Sequence, residues 1–349
     1  MKKINIGIIG LGGIANKHIA ELLTCEDAQI VAICDISPAA IEEKNKKLHL
    51  PPEKCYRDYK QLLDDPEVEA VEICTPNYLH AEMAIEAFRH GKHVNLEKPI
   101  AMNRAQAETI VQAKNESGKQ AMTCFSYRFF PAVRYAKHLV DSGTLGEIIG
   151  VNASYLKCSA LWEGRPLEWR FVKEYAGSGV IGDLGVHLID LAQLLAGNIT
   201  ELCAQRAVVV KERKRLDSDE IGPVETDDQC DFIARFACGA HGAFHITRCA
   251  MGHGNTISYE VYGTKGAISF DLNNPKIIHI CIGEGDPKTR KFETVDVPSD
   301  FFLDQERAFV DSLLGKADPL FPTIEHGEQG QRVVDAIIAS AESGRWVTV

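Results

Sequence analysis

This 349-residue chain lacks a Cys-x-x-C pair, a long apolar run, an internal repeat and any excess of positive charge. Its eleven cysteines are odd in number and scattered from Cys25 to Cys281, a pattern that makes neither a disulfide framework nor a structural zinc site. Cys34, Cys74 and Cys124 fall in predicted strands, where a thiol serves as a small core residue. The expectation is a reducing, cytoplasmic setting. No apolar stretch reaches the length of a bilayer span, so a membrane role is not expected. Met1-Lys2-Lys3 before apolar residues imitates a secretory leader, but glycines interrupt the run, and it reads as a first strand. Lys and Arg number 38 against 49 Asp and Glu, for a net charge of −11, which disfavours a nucleic-acid partner. The single basic run, Lys211 to Arg215, is interrupted by Glu212 and reads as a solvated strand end.

What is present begins with the segment Ile4–Ile9 running into Gly10-Leu11-Gly12-Gly13-Ile14-Ala15. A strand, a Gly-x-Gly-x-x-Ala turn and a helix form a pyrophosphate grip. Gly10 permits the sharp turn, Gly12 lets phosphates approach the main chain, and Ala15 lets the helix pack closely. Gly13 and Ile14 lead into the helix, whose first N–H groups face the anion. The next strand, Ala28 to Cys34, ends at Asp35, where a βαβ unit places the carboxylate for the adenosine ribose. That acid favours NAD over NADP, because it repels a 2′-phosphate. The blander alternative for Asp35 is a polar strand end or helix cap ahead of Ser37-Pro38.

With 45% hydrophobic residues the chain can bury a large core, and it divides into expected domains at 1–125 and 126–349. Strands alternate with helices through the first, predicting an α/β, doubly wound parallel sheet. One of its helices is capped by Asn103, with Gln106 three residues on. In the second, strand-like stretches at 147–156, 200–213, 228–238, 240–249, 257–263, 266–271 and 277–282 predict a largely antiparallel sheet. Helices are expected near 127–141, 183–196, 302–314 and 326–343, and the acidic stretch Asp217–Asp228 reads as a loop.

Ligands of a doubly wound sheet sit beyond the carboxyl ends of its strands. Besides Asp35, two such ends are polar: Thr75-Pro76-Asn77-Tyr78-Leu79-His80, and Glu97-Lys98-Pro99. A lysine there can donate to a substrate oxygen and stabilise a developing alkoxide. Lys98 equally fits a surface lysine paired with Glu97. Farther on, Asp183, His187 and Asp190 stand at i, i+4 and i+7 after a glycine-rich lead. That spacing sets them on one helix face. A carboxylate one turn from an imidazole can orient it as a general base. A capping Asp183 and a satisfied core His187 remain the alternative, and no third metal ligand is evident. Tyr127, Arg128, Trp162 and Arg170 combine rings with hydrogen-bonding groups, as polyol recognition or interdomain packing requires.

In this order, GLGGIA, TPN-x-x-H, EKP, YRF, G-x-G-x-x-x-D-x-G-x-H-x-x-D and the GTKG turn at Gly263–Gly266 resemble the Gfo/Idh/MocA oxidoreductase family. Its members include inositol dehydrogenases and glucose–fructose oxidoreductase. The resemblance implies an N-terminal Rossmann domain and a C-terminal α/β domain on a large open mixed sheet often used for oligomerisation, hence a homodimer or homotetramer. It implies a catalytic set matching Lys98, Asp183 and His187. Glu97, His80 and the turn Thr75–Asn77 would line the cofactor, with Tyr127, Arg128, Trp162, Arg170 and Asp190 toward the substrate. The expected activity is hydride transfer between NAD and a sugar, cyclic polyol or sugar derivative. The alternatives are a redox-neutral enzyme that retains NAD and oxidises a sugar hydroxyl transiently, and a catalytically silent NAD sensor or scaffold.

Overall fold

A computed structural model describes residues 3–216, 218–283, 285–316 and 318–349; Met1, Lys2 and Asp217, noted above, lie outside the described residues. The chain clusters into two units, one ending at Phe125 but joined by Leu303–Glu328, the other formed by Ser126–Phe302 and Gln329–Val349.

In the first unit, the described strands are β1 (Ile4–Ile9), β2 (Ala28–Cys34), β3 (Cys55–Tyr56), β4 (Ala70–Ile73), β5 (His93–Leu96) and β6 (Ala121–Thr123). They pair in parallel in the order β3-β2-β1-β4-β5-β6. Helices α1 (Ala15–Leu22), α2 (Pro38–Leu48), α3 (Tyr59–Asp64), α4 (Asn77–Arg89) and α5 (Arg104–Ser117) connect them. All four residues of β4 are buried, as a sheet covered on both faces demands. Local chemistry fixes the helix ends. Ser37 accepts the Ala40 N–H ahead of Pro38 in α2. In α5, Asn103 accepts the Gln106 N–H while the Gln106 side chain accepts the Met102 N–H, and Gly118 (φ 66°) stops the helix.

The segment 303–328 departs from a single cut after residue 125. The Thr123 N–H donates to the Pro322 carbonyl at 2.8 Å, Ile324 is buried in the first core, and Glu306 is buried against that unit's interior. Helical periodicity predicts that a face is buried but not against which core it lies.

In the second unit, α6 (Pro131–Asp141), α7 (Lys173–Ala176) and α8 (Val186–Ala196) accompany strands β7 (Ile148–Leu156), β8 (Ile199–Ala207), β9 (Glu212–Lys214), β10 (Ile221–Pro223), β11 (Gln229–Phe236), β12 (His241–Thr247), β13 (Thr256–Gly263), β14 (Ala267–Asp271), β15 (Ile277–Cys281), β16 (Glu293–Asp296) and β17 (Val347–Thr348). Among the described residues nine strands form one mixed sheet, ordered β16-β15-β14-β13-β7-β12-β11-β8-β17, with β7 and β12 parallel. Burial alternates along β11 and β13, so one face carries the core and α6 and α8 pack on it.

Four expectations need correction here. The helix expected at 127–141 begins as a 3₁₀ turn, Ser126–Phe129, before α6. The strand expected at 200–213 ends at Ala207, and β9 pairs instead with β10, inside the stretch read as an acidic loop. Arg213, within the basic run, is buried rather than solvated, because its guanidinium lies over the Phe171 ring 4.2 Å away. Within Lys173–Ala196 an 18-residue run is apolar enough to cross a membrane, but 83% of that run is buried inside the fold, as in a core helix.

Candidate active site

In the first unit the glycine turn follows β1 directly. Gly10 has φ 88°, and a Cβ there would come within 2.8 Å of the Thr75 side chain, so both conformation and contact require glycine. A Cβ on Gly12 or Gly13 meets no described atom within 4 Å, which leaves open space over the main chain. Helix α1 starts there with no side-chain cap and no acidic residue in its first turn. Its first N–H groups are therefore presented to an anion. Asp35 closes the turn from the end of β2, its Oδ2 accepting the Leu11 N–H at 2.7 Å and its Oδ1 the Ser37 N–H at 2.8 Å. These features fit a dinucleotide pyrophosphate, with Gly10, Gly12, Gly13 and Ile14 around it.

The other two strand ends differ from expectation in one respect. His80 does not line a surface: it is fully buried, with Nδ1 2.7 Å from the Pro99 carbonyl and Nε2 2.8 Å from the Thr75 carbonyl. It sits between the TPN and EKP turns, and burial lowers its pKa more than the two carbonyls raise it. Glu97 also faces inward. Its Oε1 lies 3.1 Å from His18 Nε2 and its Oε2 accepts the Lys98 N–H at 3.0 Å. Lys98 is half-buried and Asn77 is buried at the start of α4.

In the second unit, glycine again reflects packing. A Cβ on Gly179 would come within 2.3 Å of the Asp227 backbone, and the Val180 N–H donates to the Asp227 carbonyl at 2.8 Å. The following turn, Ile181–Gly185, is π-helical, so Asp183 and His187 do not stand in the plain α-helical register that the spacing predicts. Asp183 accepts from Arg248 Nη2 at 3.0 Å, and Arg248 is itself buried at the end of β12. His187, also buried, meets the Tyr127 ring edge-on at 4.6 Å between centroids, with Tyr155 6.5 Å away. Tyr155 donates to Asn255 Oδ1 at 2.9 Å, and its oxygen lies 2.9 Å from the Tyr127 hydroxyl. A phenol has one proton, so Tyr127 is the donor of that second bond. Burial, with Tyr127 adding to it, pushes the Tyr155 phenol far above its ordinary pKa and keeps it a donor.

Arg128 and Asp190, expected toward a substrate, are both buried and grip each other. Nε lies 3.1 and 2.8 Å from the two carboxylate oxygens and Nη2 2.5 Å from Oδ1. The pair is an interior strut between the YRF turn and α8. Trp162 is 58% exposed beneath the Arg165 guanidinium, and Arg170 stacks on Trp169. Sequence reading missed Tyr155, Asn255 and Arg248; Arg248 carried a faint signal as a charge ending an alternating strand.

Comparison with known proteins is consistent with this geometry. A family model described as an oxidoreductase family with an NAD-binding Rossmann fold matches residues 4–125, and a GFO/IDH/MocA C-terminal domain matches 133–269. Levoglucosan dehydrogenase of Pseudarthrobacter phenanthrenivorans is 29% identical over 100% of this chain and 99% of its own. Myo-inositol 2-dehydrogenase of Thermotoga maritima is 28% identical over 93% and 89%. A structure of levoglucosan dehydrogenase in complex with NADH and levoglucosan superposes with a TM-score of 0.91 at 29% identity, covering 100% of both chains.

Proposed function

The chain belongs to the Gfo/Idh/MocA oxidoreductase family, and from that premise we propose that it is an NAD-dependent dehydrogenase of a sugar, anhydrosugar or cyclic polyol hydroxyl. The observation that carries this reading is the His187 environment: a buried imidazole against two hydrogen-bonded tyrosines, one helical turn after a carboxylate held by Arg248. The relatives named above act on levoglucosan and myo-inositol, both polyhydroxylated rings.

In this reading His187 takes the proton of the reacting hydroxyl, and Asp183, oriented by Arg248, favours the imidazolium that results. Lys98 donates to the same oxygen and stabilises its developing negative charge. Tyr127 has committed its proton to Tyr155, so it serves a neighbouring substrate hydroxyl as acceptor. Bound NAD supplies the redox chemistry by accepting a hydride. The first turn of α1 holds the pyrophosphate, and Asp35 selects NAD over NADP by accepting from ribose hydroxyls and repelling a 2′-phosphate. Trp162 and Arg170 border the substrate in this proposal, whereas Arg128 and Asp190 belong to the framework. The enzyme is proposed to work as a homo-oligomer in the cytoplasm.

A screen of anhydrosugars, aldoses and inositols for NADH formation tests the substrate class. Lys98→Met and His187→Asn are expected to lower kcat by about 10²-fold or more while retaining NADH binding. Near-wild-type turnover in either variant would remove that residue from the mechanism. Protein that purifies with bound NADH and never shows net turnover would replace the dehydrogenase reading with internal hydride exchange.

A further inference from the structure

Beneath the EKP turn the first unit buries an ionisable cluster for which the proposed chemistry has no use. His18 on α1, Glu72 on β4, Glu306 on the helix Gln305–Leu313, Asn95 on β5 and Cys124 after β6 are all at most 1% exposed, and Glu97 is 7% exposed. His18 Nδ1 lies 3.0 Å from Glu72 Oε2 and 2.9 Å from Glu306 Oε1, while Nε2 lies 3.1 Å from Glu97 Oε1. Asn95 Nδ2 donates to both Glu72 (2.6 Å) and Glu306 (3.1 Å), and Gln305 donates to Glu306 at 2.8 Å. The Glu72 and Glu306 carboxyls thus converge on the same two donors, His18 Nδ1 and Asn95 Nδ2.

Simple accounting fixes the charge state. Carboxylates against both ring nitrogens require two N–H donors, so His18 is an imidazolium. Two buried carboxyls crowded onto the same donors repel when both are ionised, so one of them keeps its proton. Glu72 is the better bearer, because its Oε1 is buried without a hydrogen-bond partner, which a neutral carbonyl oxygen tolerates better than a carboxylate does. Glu306, with donors from His18, Asn95 and Gln305, keeps its charge. The other groups facing the cluster are the Cys74 and Cys124 thiols, which burial keeps neutral, and Glu21, near the Glu306 N–H at 3.5 Å. His18 is thus held by Glu306 on one ring nitrogen and by Glu97 on the other, and the second oxygen of Glu97 accepts the Lys98 N–H.

We propose that His18, Glu72 and Glu306 form a buried proton-sharing cluster that holds Glu97 ionised in one orientation, making His18 a positioning residue for Lys98. The positioning half rests on the reading that places Lys98 in the reaction; the proton-sharing half does not. The same side-chain atoms lie close enough to ligate a cation, yet separations of 2.9–3.1 Å are those of hydrogen bonds.

The test uses full-length protein. An infrared difference spectrum of apoprotein at neutral pH, wild type minus Glu72→Gln, is expected to show the carbonyl stretch of a neutral carboxylic acid. Absence of that band, or one equivalent of tightly bound divalent metal in the purified wild type, overturns the proton-sharing cluster. His18→Gln is expected to lower kcat by about tenfold to a hundredfold and shift its pH profile, with substrate KM and NADH affinity little changed. A wild-type kcat profile in folded His18→Gln overturns the positioning role. If that variant does not fold, the spectrum and the metal analysis still decide the cluster. If Lys98→Met keeps its turnover, the Lys98 reading falls, while the spectrum still decides independently whether Glu72 carries the proton.

Discussion

The Arg128–Asp190 pair allows the sharpest separation of framework from substrate contact. Both side chains are 2% exposed, and three N–O contacts at or below 3.1 Å join them. Burial raises the Asp190 pKa while Arg128 pulls it down, which marks the cost of placing this charge in the interior. Asp190→Ala strands a guanidinium in a low-dielectric site, a change that costs about 3–5 kcal/mol. In a unit of this size that lowers the melting temperature by on the order of 10 °C. Replacing both residues with apolar ones, Arg128→Met with Asp190→Leu, removes the uncompensated charge and is expected to recover most of that loss, since such exchanges run from about neutral to a few kcal/mol stabilising. Scanning calorimetry on the wild type, the singles and the double closes the cycle. A single mutant that melts with the wild type, or a double that melts as low as Asp190→Ala, refutes the reasoning. A double that regains its melting temperature but loses turnover on a saturating substrate would return Arg128 to the substrate.

Three further outcomes follow from the geometry. Arg248→Met leaves the Asp183 carboxylate without its cation and is expected to reduce kcat by about tenfold or more with NADH affinity intact; steady-state kinetics at wild-type rates would show that Asp183 needs no such partner. Asp35→Ala is expected to narrow the ratio of NAD to NADP efficiency by about tenfold or more, measured as kcat/KM with each cofactor, and an unchanged ratio would take Asp35 out of the discrimination. Glu72 makes stability depend on pH: burial and Glu306 push its folded pKa up to about 8, whereas an unfolded carboxyl ionises near about 4.3. Its contribution is therefore fully present below the unfolded value and is lost as pH rises through the folded one. Glu72→Gln should thus gain thermal stability relative to wild type from about pH 5 to 9, and parallel melting curves across that range would mean that Glu72 is ionised in the fold.

What could be read from the sequence was whatever local backbone chemistry demands. Gly10 is legible because a turn with φ 88° against Cys74 and Thr75 admits no side chain. Asn103 with Gln106 is legible because a capping pair spans one turn. The parallel first sheet follows from alternating strand and helix patterns. Side-chain direction was not legible. His80 and Glu97 sit in the expected motifs but turn inward, because carbonyls and His18 outcompete solvent for them. The His18–Glu306 contact joins residues far apart along the chain, and no local pattern announces it. The π-helical turn at Ile181–Gly185 is likewise hidden, since Gly185 packs against Ile181 without leaving any trace in the spacing.

The late segment that rejoins the first unit has a practical corollary for anyone building hybrids from two relatives. A fragment ending at Phe125 omits Ile324 from its interior and leaves His18 without Glu306, so it is expected to express as a sticky, incompletely folded product. Swapping specificity between homologues therefore calls for junctions after Phe125, after Phe302 and after Glu328, with the donor's 303–328 travelling alongside its nucleotide-gripping half.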